Sequence, residues 1–357
     1  MLRILIDVGH PAHVHLFKHF VWEIQKRGAD LLFTARDKEN TIDLLKAYGL
    51  PYCKIGPHYH SLLQKAYGML KNDFKIFRIT RKFNPNILLS HGSIYAAQVS
   101  FLLNKPHISM EDTGNMEQIR LYKPFTQAIL TPSCLKKNLG KKQIRYLGYH
   151  ELAYLYPSYF QADRHVLDEL NIKENEKFIF FRFVSWGATH DIGKYGLSPT
   201  EKSKIINELS NYSRIFISSE SELPEDLRRY KICVSPEKIH SVLYYATVVV
   251  SEGAKIAGEA AVLGVPNIFI NAQSLSCLEE LKNKYQLVCN YSNPENLKEK
   301  IYYFLKTHNI KQKWAEKRRL MLQEKIDVTK LLVWFVENYP KSARIIKQDK
   351  CFQLQFK

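Results

Sequence analysis

The chain has 357 residues, more than one ordinary hydrophobic core accommodates and a length that suits two domains. Apolar residues make up 45% and charged ones 24%, a globular balance, and no run of eighteen apolar residues could span a membrane. Against 35 Asp and Glu stand 52 Lys and Arg, a net charge of +17, which favours anionic partners: phosphorylated substrate, anionic lipid or nucleic acid. The opening M-L-R-I-L-I-D-V-G-H enters a strand without the pattern of a signal peptide, and the six cysteines form no C-x-x-C pair. A cytoplasmic protein with reduced thiols is the expectation.

Strands and helices alternate along the chain. Leu2 to Asp7 reads as strand, Val14 to Arg27 as helix, Asp30 to Thr34 as strand and Asn40 to Tyr48 as helix. Between His60 and Lys82 comes an amphipathic helix. Leu63, Ala66, Tyr67, Leu70, Phe74 and Phe77 form its apolar face, with Lys71, Lys75, Arg78 and Lys82 as a basic stripe beside it. That stripe suits either a solvated flank or an anionic membrane surface met through residues 63–82. Strand Ile87 to Ser90, helix Ile94 to Leu103 and strand His107 to Met110 follow, the pattern of a doubly wound α/β domain over residues 1–150. A connector from Tyr149 to Tyr159 leads into a second alternating series, with strands at Lys177 to Val184 and Arg214 to Ser218, over residues 151–327. Val328 to Asn338 is a further helix within a closing segment, 328–357, whose tail from Lys341 is basic and carries little pattern.

Four patches carry possible chemistry. Asp7 to Lys18, D-V-G-H-P-A-H-V-H-L-F-K, follows the first strand and places His10, His13 and His15 at the carboxyl edge of a sheet, where open α/β folds bind ligands. As metal ligands these histidines would need a convergent carboxylate that the sequence does not show, so a general base is the more natural role and no metal site is expected. Ser90 to Ser100 ends a strand in His-Gly-Ser before a helix, and His107 to Met116 then brings Glu111 and Asp112, the latter alternatively a cap of the turn D-T-G-N. Phe181 to Ser198 is a loop supplying Arg182, Ser185, Trp186, His190 and Lys194. Tyr244 to Asn271 reads as a buried strand, a small-residue turn at Ser251-Glu252-Gly253, a helix from Ala254, Lys255 and Ile256 through Glu259, a Gly264 cap and a second buried strand. Unpaired N–H groups at such a helix start suit a phosphate.

S-E-G-A-K-I-A-G-E-A-A-V-L-G-V-P resembles the nucleotide-sugar signature of GT-B glycosyltransferases. It is similar to that of the lipid II-forming N-acetylglucosaminyltransferase and of the non-hydrolysing UDP-N-acetylglucosamine 2-epimerases. Over nearly its full length the chain resembles a bacterial and archaeal domain-of-unknown-function family of GT-B-like proteins. The resemblance implies two doubly wound Rossmann-type domains facing across a cleft, with the closing helix crossing back to the first. It implies that Gly253, Ala254, Lys255 and Ile256 face a donor diphosphate, that Glu259 holds its ribose, and that Asn271 and Gln273 hold its sugar. Arg182, Ser185 and His190 belong to a loop over the diphosphate. His13-Val14 matches the histidine of the transferase's G-G-H-V-type loop, with Pro11-Ala12 in place of its two glycines. In the epimerases H-G-D-T and E-A-G carry an aspartate and a glutamate as acid/base groups. Here Ser93 replaces the aspartate, whereas Glu111 keeps the glutamate and Asp112 follows it.

The leading expectation is therefore a glycosyltransferase with catalytic candidates His13, Glu111 and Asp112, drawing a UDP-linked sugar and passing it to a surface-polysaccharide or lipid-linked acceptor. No D-x-D motif is present, and helix dipoles with basic side chains would stabilise the leaving diphosphate without a metal or other cofactor. A UDP-sugar 2-epimerase is the alternative. A non-catalytic binder of anionic surfaces or nucleic acid is the reading from another class, although no nucleic-acid-binding signature supports it.

Overall fold

A computed structural model of the protein describes residues 1–57, 62–173, 175–185, 196–271, 276–291 and 296–357, with backbone alone at 57 and 62–70. The chain divides into two compact units, Met1–Tyr159 with Lys325–Lys357, and Phe160–Glu324.

The first unit contains β1 (Arg3–Val8), α1 (Pro11–Gln25), β2 (Asp30–Asp37), α2 (Thr41–Ala47), β3 (Tyr52–Pro57), α3 (Leu62–Phe83), β4 (Ile87–His91) and α4 (Ile94–Leu102). It continues with β5 (His107–Met110), α5 (Met116–Tyr122), β6 (Ala128–Pro132), β7 (Gln143–Tyr146) and α6 (Leu152–Leu155). Its seven strands run in the order β3-β2-β1-β4-β5-β6-β7, every pair parallel. Such a sheet is covered on both faces, so β1, β4 and β5 are almost continuously buried, as their unbroken apolar runs require. The order reverses between β1 and β4, and at that point the loops after the two strands diverge to opposite faces and leave a crevice.

The second unit contains α7 (His165–Glu169), β8 (Phe178–Phe183), α8 (Pro199–Leu209), β9 (Arg214–Ser219), α9 (Ile239–Tyr245), β10 (Val248–Ser251) and α10 (Ala254–Leu263). β11 (Asn267–Ile270), α11 (Ser276–Asn283), β12 (Cys289–Tyr291), α12 (Leu297–Lys306) and α13 (Ile310–Glu324) complete it. Its sheet, β12-β11-β10-β8-β9, is also wholly parallel and reverses between β8 and β10. α10 stops at Gly264, whose left-handed φ of 73° closes the helix, as the Gly-x-Pro sequence dictates.

The last segment returns to the first unit as α14 (Val328–Glu337), α15 (Lys341–Gln348) and a short 3₁₀ turn. Asp327 caps α14 by accepting from the Lys330 N–H. Gln353 is buried and completes the β7 edge, accepting from the Leu147 N–H at 3.0 Å and donating to the Arg145 carbonyl at 3.0 Å. The tail that carried little sequence pattern is thus tied down by hydrogen bonds and by Trp334 packing on Phe352 and Phe356.

α3 differs from its sequence reading in the side chains described. Ile76, Thr80 and Asn72 are buried, whereas Phe74, on the apolar face of the sequence pattern, is 61% exposed beside Arg78. Leu63 to Leu70 lie among the residues whose side chains are not described.

Candidate functional site

Two groups of residues stand at the two reversal points. In the first unit α1 begins directly after β1. His10 is its N-cap, its Nδ1 accepting from the Ala12 N–H at 3.1 Å, and His15 is buried against Tyr48 and Tyr154. His13 meets the neighbouring strand end: its ring stacks on His91 with centroids 4.5 Å apart.

The Gly9 N–H donates to His13 Nδ1 at 3.3 Å, so the neutral ring carries its proton on Nε2. Burial, with His91, His10 and Arg36 adding positive charge, holds this imidazole well below its ordinary pKa and therefore neutral. A neutral ring whose bare nitrogen is already engaged presents an N–H to a ligand.

Arg36 lies so close over Gly9 that a Cβ there would meet its Nη2 at 1.7 Å, which only glycine avoids. The guanidinium also stands over the Tyr95 ring, 5.1 Å from its centroid, and among the described residues no carboxylate pairs with it.

Glu111 and Asp112 follow β5 and have separate tasks. Glu111 is 1% exposed. Its Oε1 accepts from the Thr113 N–H, the Thr113 hydroxyl and the Gly114 N–H at 2.7, 2.6 and 2.9 Å, and its Oε2 from the Tyr122 hydroxyl at 3.0 Å. A carboxylate with both oxygens so engaged builds the turn. Asp112 does not cap the following helix. Asn115 does, accepting from the Glu117 and Gln118 N–H groups. Asp112 Oδ1 lies 3.0 Å from His91 Nε2 and Oδ2 lies 2.9 Å from His150 Nδ1. Burial alone would raise its pKa, but His150 and His91 overcome that and hold the carboxyl well below the usual range.

His91 and His150 are the functional candidates that sequence reasoning missed. His91 was legible as the last residue of a buried strand at the reversal point. His150 lies in what reads as a linker, with no local signal. Ser93 caps α4 by accepting from the Ala96 N–H at 3.1 Å, so the place of the epimerases' aspartate is filled by a structural hydroxyl.

In the second unit Ser251 Oγ accepts from the Gly253 N–H at 3.0 Å and shapes the turn into α10. The N-cap residue of this helix is Gly253, which has no side chain to accept from the first-turn N–H groups. Gly253, Ala254, Lys255 and Ile256 are partly exposed, whereas every residue from Ala257 to Leu263 is buried. The first-turn N–H groups of a helix have no partner within it, so this end carries the positive pole of the helix at the sheet reversal.

Glu252, 1% exposed, fastens the loop beside that turn at both ends. Its Oε2 accepts from the Val184 N–H at 3.1 Å and its Oε1 from the Leu197 N–H at 2.9 Å, with Lys202 Nζ 3.2 Å from Oε1. Sequence reasoning treated Glu252 only as a turn residue.

Arg182 donates to Ser218 Oγ and to Glu220, and the Ser185 N–H donates to Glu220 at 3.2 Å, so both are anchored on the β9 side. Glu259 is 3% exposed, its Oε1 3.3 Å from His240 Nε2. Asn271 is buried at the end of β11. His190 and Gln273, with Trp186 and Lys194, lie outside the described residues.

A family model, one relative and several solved structures resemble this chain. A family model described as protein of unknown function, DUF354, matches residues 2–341. An uncharacterised protein of Methanocaldococcus jannaschii is 25% identical over 285 residues, 77% of this chain and 83% of that one. Among solved structures, the UDP-N-acetylglucosamine 2-epimerase of Neisseria meningitidis bound to UDP-N-acetylglucosamine superposes with a TM-score of 0.66 at 14% identity, covering 90% of this chain and 99% of that one. A spinosyn rhamnosyltransferase complexed with spinosyn aglycone gives a TM-score of 0.61 at 13% identity over 95% and 100%. Each unit thus has the doubly wound form of the GT-B-like fold.

Proposed function

The chain belongs to the DUF354 family, and we propose that it is a glycosyltransferase that takes a sugar from a nucleoside diphosphate donor, UDP-linked, and passes it to a lipid-linked or surface-polysaccharide glycan. The observation that carries this reading is the start of α10 at the sheet reversal, where the N-cap is a glycine without a side chain and Glu252 holds Val184 and Leu197 beside it. A diphosphate set against N–H groups at a helix start gains hydrogen bonds and the favourable end of the helix dipole, both of which strengthen as charge moves onto it when the glycosidic bond breaks. Support comes also from solved proteins of the same fold, one bound to UDP and one to UDP-N-acetylglucosamine. Glu259 as ribose ligand and Asn271 with Gln273 as sugar ligands remain part of the proposal.

For the acceptor, Arg36 and the Nε2–H of His13 supply a cation and a neutral donor in the crevice of the first unit. That pairing favours a phosphate-bearing acceptor such as a lipid-linked glycan. The exposed Phe74 beside Arg78, with Lys71, Lys75 and Lys82 on the same helix, supports docking on an anionic membrane surface. No helix among the described residues is long and apolar enough to cross a membrane.

The epimerase alternative is disfavoured by Ser93 and Glu111. Removing and returning a C2 proton needs titratable groups on both faces of the sugar, and one position is a helix-capping hydroxyl while the other is a fully hydrogen-bonded carboxylate. Proton NMR of UDP-N-acetylglucosamine incubated with the protein in D₂O tests the choice. Release of UDP that depends on an added lipid-linked glycan, with no deuterium at C2, supports transfer. Deuterium at C2 or the C2 epimer would assign the alternative.

A further inference from the structure

The crevice of the first unit contains a donor set that sugar transfer as proposed does not require. His91 ends β4, Asp112 follows β5 and His150 follows β7, and one donor atom from each lies within 4.8 Å of the other two. The two nitrogens approach the two oxygens of one carboxylate, at 3.0 Å for His91 Nε2 and 2.9 Å for His150 Nδ1. Around an ion bound at about 2.1 Å, neighbouring ligands stand roughly 3.0–3.4 Å apart and opposite ones about 4.2 Å, so three donor atoms within 4.8 Å of one another are close enough to share one ion.

The set is also built in. His150 is 1% exposed, its ring is stacked on Tyr146, and His91 is fixed from the other side by the His13 ring. From these juxtaposed side chains we propose that His91, Asp112 and His150 bind a divalent first-row transition-metal ion, with coordination positions left for oxygen ligands from the crevice.

Two imidazoles and one carboxylate are a donor set suited to Mn²⁺, Fe²⁺, Co²⁺ or Zn²⁺ and poorly suited to Ca²⁺ or Mg²⁺, which take oxygen ligands. His13 is not a fourth ligand, because its Nδ1 accepts from the Gly9 N–H and its Nε2 is protonated. It stands ready to donate to an oxygen bound beside the metal. The site belongs to the first unit alone and does not depend on the donor reading of the second.

The test uses the full chain without a histidine tag, stripped with a chelator and titrated calorimetrically with Mn²⁺, Co²⁺ and Zn²⁺. The expected result is one equivalent bound with a Kd of about 10 μM or tighter. Co²⁺ should show the weak visible absorption of five- or six-coordination. Asp112→Asn and His150→Gln should each weaken binding by on the order of 100-fold, since even losing an outer-shell partner costs 10–100-fold. His165→Gln, which removes an exposed histidine paired with Asp168, should leave binding unchanged.

Circular dichroism of each variant separates lost ligation from lost folding, and His91→Gln replaces either variant that fails to fold. Absence of saturable binding by the wild-type chain below about 1 mM would overturn the proposal. So would binding that survives both ligand substitutions, or that disappears with His165→Gln; the two histidines and Asp112 would then be a hydrogen-bonded array without metal.

Discussion

Glu252 and Lys202 form a buried ion pair, 3.2 Å between Oε1 and Nζ, with the glutamate side chain wholly buried and the lysine 11% exposed. Because the same carboxylate accepts from the Val184 and Leu197 N–H groups, the pair holds both ends of the loop that follows β8. Glu252→Ala should destabilise the protein by about 3–5 kcal/mol, since it leaves Lys202 and two amides without their partner. Chemical denaturation measures the loss. Nucleotide binding should weaken with it even where the variant is fully folded, and a stable variant with intact binding would show that the loop has no part in the site.

Glu259 offers a sharper test, because its carboxylate is buried beside His240 and the ribose assignment rests on resemblance. Glu259→Gln keeps the volume and should weaken UDP binding tenfold or more, about 1.4 kcal/mol, with a melting temperature close to that of the wild type. Unchanged affinity alongside lowered stability would make the pair a core element.

The elements of the second unit around α10 were largely legible and the side-chain cluster of the first unit was not, for physical reasons. Thr247 to Val250 is unbroken and β-branched, and Gly264 with Pro266 stops the helix, so β10 and α10 were readable to within a residue. β7 is a four-residue edge strand, Q-I-R-Y, with alternating burial, and β6 ends in a proline, so neither has a strong local signature. His150 could not be found from sequence because its partners are 38 and 59 residues away in the chain, and only the parallel sheet brings the strand ends together.

His107 gives a pH dependence that is independent of ligand. It is fully buried, with Ser90 Oγ 2.9 Å and Thr126 Oγ1 2.8 Å from its two nitrogens, and burial pushes its pKa down to about 3. Below its ordinary value near 6.5 the unfolded chain takes up a proton that the folded chain refuses. Stability from this residue is therefore complete above pH 6.5 and falls by about 1.4 kcal/mol per pH unit between 6.5 and 3. Urea denaturation from pH 7.5 to 4.5 should show His107→Gln less stable at pH 7.5 but with an acid slope shallower by one proton. Parallel curves would place the proton uptake elsewhere.

Membrane docking through α3 is tested by charge reversal. Lys71→Glu, Lys75→Glu, Arg78→Glu and Lys82→Glu together should release the protein from anionic vesicles, since each basic residue near such a surface contributes about 1 kcal/mol. Donor nucleotide binding should persist. Wild-type protein that ignores phosphatidylglycerol vesicles at low salt would leave α3 an ordinary surface helix and point to a soluble acceptor.

The central claim is that the start of α10 receives a nucleoside diphosphate, and calorimetric titration of the wild-type chain tests it most directly. UDP should bind at a single site with micromolar to submillimolar affinity. UMP should bind at least tenfold more weakly, because it lacks the phosphate that the helix end would hold. No saturable binding of UDP, GDP or dTDP up to millimolar concentration, or equal affinity for UMP and UDP, would contradict the account.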